Sequence, residues 1–143
     1  MKALSIHGNY IMDIIRGRKT IEYRTWKTNY RGEILLCASA KKYAGGIHGY
    51  AACVAKINHI EWSEEDECYY WHIEPFKEGG SYLIKPIKVK GQLKLFNVDD
   101  DLIEKAPFDE VNFHNPDFQN WWNDNLKPLI WFPKNIRRFR IKP

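Results

Sequence analysis

Cysteine is scarce in this chain of 143 residues: Cys37, Cys53 and Cys68 are odd in number, widely separated and without a Cys-x-x-Cys pair. Neither a disulfide framework nor a zinc knuckle can be built from them, and Cys37, in an apolar stretch, is most simply a small core residue. The five histidines, His7, His48, His59, His72 and His114, lack any two-histidine ligand spacing, so neither a metal nor another cofactor is expected. Long apolar runs are also missing. The longest, such as Ile34 to Ala38, fall far short of the ~20 residues of a membrane span, and no signal-peptide core follows Met1-Lys2, so a soluble, cytoplasmic protein is expected. There is no internal repeat, no low-complexity segment, no Gly-x-x-x-x-Gly-Lys nucleotide loop and no serine-histidine-acid order of a hydrolase triad.

With 44% hydrophobic residues, the chain has enough apolar material for one core, and a single domain over residues 1–143 is expected. The net charge of +4 conceals an asymmetry. Residues 1–60 carry ten bases and three acids (+7), residues 61–80 one base and seven acids (−6), and residues 81–143 eleven bases and eight acids (+3). Such a chain can present a phosphate-attracting face without being basic all over, although ordinary solvated loops give the same counts.

Frequent short strands separated by turns suggest a small barrel. Strands are expected at Lys2 to Ile6, around Ile21 to Arg24, at Glu33 to Ser39, along His48 to Ile60 with a bend or bulge, at Tyr69 to Ile73 and at Tyr82 to Val89. The last two are expected to pair through Phe76 to Gly80, with Pro86 placing the second at an edge or bulge. The acidic stretch Glu61 to Glu67 suggests one helical turn capped by Ser63. Beyond residue 98, Asp99 to Lys105 suggests a short helix, Asn115-Pro116 starts another running to about Asn125, and Arg137 to Ile141 alternates as a final strand. Phe118, Trp121, Trp122, Trp131 and Phe132 in this extension are expected to cover the barrel, with a protein-contact patch as the alternative.

The segment Gly17-Arg18-Lys19-Thr20-Ile21-Glu22-Tyr23-Arg24 is the most informative. Asn9 can cap a short helix whose Ile11, Ile14 and Ile15 share a face, and Gly17 can supply the left-handed residue that ends it, leaving Lys19 in a turn. Alternation from Thr20 would send Ile21 and Tyr23 into the core and set Glu22 and Arg24 on the opposite strand face. Glu22 and Arg24 could form an ion pair that orients both groups, either for a ligand or as a purely structural contact. Lys19 could bind phosphate as a point charge or, if desolvated, act as a base or nucleophile. Trp26, Lys27 and Arg31 add a stacking surface and two cations, a combination suited to an unstacked base and its phosphate. Lys41 and Lys42, with Gly45 and Gly46, could make an anion-binding loop.

This glycine, lysine, glutamate, arginine spacing resembles the signature of the ASCH domain, the activating signal cointegrator homology family of the PUA-like superfold. Tyr30-Arg31-Gly32-Glu33 with the apolar run that follows, Tyr70-Trp71-His72-Ile73, and Pro86 to Gly91 with Leu95-Phe96 are similar to the family's further blocks, in the family's order over residues 2–98. The resemblance implies an α+β fold: a small PUA-like mixed β-barrel with short helices packed around it and residues 99–143 as an extension. It also implies a cleft that holds single-stranded RNA or a nucleoside or nucleotide ligand, formed by Lys19, Arg24, Trp26, Lys27, Arg31, Lys41 and Lys42, with Trp71 and Lys90 facing the same cleft. If the protein is an enzyme, Lys19, Glu22 and Arg24 are the catalytic candidates. Some relatives deacetylate acetylcytidine with a lysine, a threonine and a glutamate. Their lysine corresponds to Lys19, but their threonine falls on Glu22, and Glu74 is only a positional candidate for their glutamate. A ribonuclease activity is the other enzymatic reading, and a protein-interaction module the non-catalytic one. A monomer is the favoured oligomeric state.

Overall fold

A computed structural model describes residues 1–134. The first strand, β1 (Lys2–Ile6), runs into α1 (Gly8–Ile15), followed by β2 (Ile21–Arg24), β3 (Gly32–Ala38), β4 (Tyr50–Ser63), β5 (Cys68–Ile73), β6 (Tyr82–Lys88) and β7 (Leu95–Asn97). A 3-10 turn at Asp100–Leu102, the helix α2 (Pro116–Asn125) and a second 3-10 turn at Lys127–Leu129 complete the described chain. The expected strand at Arg137 to Ile141 lies outside the described residues.

The seven strands form one mixed sheet in the order β2-β5-β4-β3-β1-β7, with β6 also paired to β4. Only β1 and β3 run parallel; the other ladders are antiparallel. The fold is therefore α+β as expected, but the sheet does not close into a barrel. Both β5 and β6 pair with β4 rather than with each other, at opposite ends of that long strand. The ladder shifts register between Ala51 and Cys53, opposite the stretch of β6 that holds Pro86, a residue unable to donate to a regular ladder. In place of a closing strand, the segment after the first 3-10 turn lies along β6: Lys85 N donates to Glu104 O and Ala106 N to Leu83 O.

Two buried clusters fill the fold. One gathers Leu4, Ile6, Ile34, Leu36 and Trp71 from the strands with Ile11, Ile14 and Ile15 of α1. Phe118, Trp122 and Leu126 belong to this same cluster, so these side chains of the C-terminal extension pack with the strands and α1, and Trp121 packs against them. The other holds Ala3, Leu35, Cys37, Val54, Ile84 and Phe96. Asn115 caps α2 by accepting from Asp117 N and Phe118 N, with Pro116 at the first helical position.

Local corrections follow from backbone geometry. The N-cap of α1 is His7, not Asn9, because Gly8 already lies in the helix. A Cβ at Gly8 would stand 1.7 Å from Ile47 O, so only glycine lets the loop before β4 seat against the start of this helix. Glu64 to Glu67 form the turn of the β4–β5 hairpin rather than a helical turn, although Ser63 Oγ does accept from Asp66 N. Strand pairing on both sides of the acidic stretch outcompetes a lone helical turn there. Gly17 does adopt the left-handed conformation, with φ of +75°, directly after α1.

Candidate functional site

Where α1 ends, Gly17 turns the chain back, and Arg18 N and Lys19 N both donate to Asp13 O. Lys19 is thereby delivered to the start of β2, next to Glu22. Strand alternation sets Glu22 and Arg24 on one face, as expected, but this is the inner face: Glu22 is 7% exposed and Tyr23 is 53% exposed. The expected order of inside and outside is reversed because two cations and a carbonyl make the inner position polar. Lys19 Nζ lies 3.4 Å from Glu22 Oε1. Arg24 Nε donates to Glu22 Oε2 at 3.0 Å, and its Nη2 donates to Ser5 O of β1 at 2.9 Å. Both carboxylate oxygens are thus occupied, and Arg24 ties β2 to β1.

This triad lines a cleft of about 550 Å³ whose walls include Ser5, His7, Tyr10, Asp13 and Tyr23. The ammonium of Lys19 lies 4.6 Å from the ring centroid of Tyr23 and 5.3 Å from that of Tyr10. From Tyr10 the rings continue outward. His7 stacks on Tyr10 at 5.4 Å and on Tyr43 at 4.6 Å, and Lys41 Nζ lies 5.4 Å from the Tyr43 centroid. On the other side Tyr23 meets Tyr70 edge-on at 5.2 Å. A ladder of aromatic rings and cations therefore runs from Lys41 to Tyr70 past the cleft.

The remaining sequence candidates scatter. Trp71 pairs with Glu22 across the β2–β5 ladder but is completely buried, with Trp26 edge-on against it at 5.0 Å. Lys27, Lys42 and Lys90 are exposed, and Arg31 donates to Thr28 O and Tyr30 O, bracing the turn before β3. The glycine donors of the Lys41 to Gly46 loop are used internally: Gly45 N donates to Trp131 O and Gly46 N to Tyr43 O. They are not available to cradle an anion as envisaged.

Two neighbouring grooves add Arg16, Arg18, Lys127 and Thr20 to the residues expected from the sequence. Arg16, Arg18 and Lys127 line one of about 1190 Å³, which shares Asp13 with the central cleft. Arg16 is held over the rings of Trp122 and Phe113, at 5.6 and 6.0 Å. Lys19, Thr20 and Glu74 line another of about 480 Å³. Tyr10 could have been found from sequence, since an aromatic ring off the isoleucine face of an amphipathic helix has no core to enter. His7 and Tyr43 carried no such signal, because only folding brings their loops together.

No helix among the described residues is long and apolar enough to cross a membrane. No curated protein matches the chain. The family model of the ASCH domain matches residues 4–90, which run from within β1 through β6 and include the Lys19–Glu22–Arg24 triad and the residues of its cleft, and the chain belongs to the ASCH domain family.

Proposed function

We propose that the protein binds single-stranded RNA or a nucleotide-derived ligand, with one unstacked base in the cleft beside Lys19, Glu22 and Arg24. The observation that carries this reading is the ladder of Tyr43, His7, Tyr10 and Tyr23 interleaved with Lys41 and Lys19. Aromatic faces accept any base by stacking, and interleaved cations meet its phosphates. Membership of a family associated with RNA binding agrees with it. The cleft itself is nearly balanced, Lys19 and Arg24 facing Asp13 and Glu22, and so suits a polar base edge better than a polyphosphate. Arg16, Arg18 and Lys127 in the adjoining groove supply cations for the backbone.

Anisotropy of a labelled single-stranded RNA, measured with the wild type and Lys19→Ala at two salt concentrations, tests the proposal. Binding that falls with salt and weakens on substitution supports it. Affinity that is absent, or indifferent to both changes, rejects it.

A second reading is hydrolytic: Lys19, Thr20 and Glu74 line one groove and are of the residue types that the resemblance gives for deacetylation of acetylcytidine, although the threonine of that reaction corresponds in sequence to Glu22 and not to Thr20. Glu22, with both oxygens engaged by cations, fits a positioning role rather than that of a general base. Acetate release from acetylcytidine that disappears in Glu74→Gln would favour this reading; no release from the wild type would remove it.

A further inference from the structure

His72 lies 11 residues beyond Glu61, outside any short ligand-spacing motif with His59 and Glu61, yet the β4–β5 ladder brings the three together. His59 and Glu61 are two apart on β4 and so share a face, and a register shift between Ile57 and His59 sets His59 directly opposite His72. The rings of the two histidines are 5.1 Å apart and tilted by 31°. Glu61 reaches both: Oε1 lies 2.7 Å from His72 Nε2 and Oε2 lies 3.6 Å from His59 Nε2. One ligand atom from each residue can be chosen so that all three fall within 4.8 Å of one another.

We propose that these three side chains form a site for a divalent transition ion, with Zn²⁺ as the best fit. Two imidazoles and a carboxylate are the donor set of borderline metals and discriminate against Mg²⁺ and Ca²⁺, which prefer all-oxygen shells. Around a tetrahedral zinc ion with bonds of about 2.0–2.1 Å, donors stand roughly 3.3 Å apart; the separations to Glu61, 2.7 Å to one carboxylate oxygen and 3.6 Å to the other, are close to that value, and a small rotation of the carboxylate would present one oxygen to both imidazoles. His59, whose side chain is 64% exposed, can rotate inward without disturbing the core. Three protein ligands leave a position for water or a further donor. His72 is paired with Ile21, and Tyr70, two residues before it on the same strand face, meets both His72 and Tyr23, so the ion would sit beside the aromatic ladder and not within the Lys19–Glu22–Arg24 triad.

Chelator-stripped protein titrated with Zn²⁺ against a chromophoric competitor tests the site. One equivalent should bind, and His59→Ala, His72→Ala and Glu61→Gln should each weaken it by at least about tenfold. Side-chain NMR should show His59 and His72 responding to the ion while His7, His48 and His114 do not. Zinc affinity unchanged in the His59→Ala/His72→Ala double variant, or no affinity in the wild type, overturns the proposal. A urea melt of each variant confirms that lost binding does not reflect lost folding.

Discussion

Glu22 and Trp71 stand directly opposite each other across the β2–β5 ladder, a carboxylate pinned by two cations beside a fully buried indole. The indole Nε1 has no hydrogen-bond partner among the described residues. The cleft therefore rests on a polar residue whose needs are met and an aromatic residue whose needs are not.

Glu22 neutralises two cations whose side chains are only 16% and 23% exposed. Glu22→Ala should leave both half-buried and destabilise the protein by about 1–3 kcal/mol, the cost of stranding partly desolvated charges. Urea denaturation would check this. A change within a few tenths of a kcal/mol would mean that the triad is held by the backbone rather than by its charges.

Trp71→Phe removes some packing but also the unpaired donor, so its cost should be well below the roughly 3–5 kcal/mol expected of Trp71→Ala. Comparing the two variants by thermal and urea melts separates volume from polarity. Equal costs would count against the unsatisfied indole.

Stacking and charge should separate in RNA binding. Tyr10→Ala and Tyr23→Ala should each lose about 1–3 kcal/mol of affinity with little change in salt dependence. Lys41→Ala, which removes a cation at the outer end of the ladder, should flatten the dependence of affinity on salt. Salt slopes that respond to the tyrosines and not to the lysine would contradict the division.

Gly8→Ala places a methyl group 1.7 Å from Ile47 O, a backbone atom that can yield only if the loop moves. A destabilisation of about 1–3 kcal/mol is expected, the usual range for overpacking. Since His7 and Tyr43 meet across the same junction, RNA affinity should drop as well.

Burial pushes the Cys37 thiol up to about 12 and raises that of Cys53 further, so both stay as unreactive thiols at neutral and mildly alkaline pH. Cys68, at the start of β5, is partly exposed. Native protein should take up one equivalent of a thiol reagent at pH 8 and denatured protein three. More than one in the native state would show that the core opens.

Much of this architecture is local and therefore legible in the chain. Strand-forming composition, the Gly17 stop and the Asn115-Pro116 start mark β1 to β6 and both helices but not the short β7, and the order Lys19, Glu22, Arg24 is enough to place the three charges near one another. Period-2 alternation also puts Glu22 and Arg24 on one face, but not which face. That was decided when Ser5 O and the Lys19 ammonium arrived from other elements to receive them. Tertiary structure likewise left the sheet open, because β5 and β6 both claim β4, and strand pairing is a contest between distant segments that no local pattern ranks. The aromatic ladder from Tyr43 through His7 to Tyr10 and the meeting of His59 with His72 belong to the same class. Sequence determined the residues and their periodicity; long-range packing decided which side chains meet, because contact energy depends on three-dimensional proximity that chain spacing does not encode.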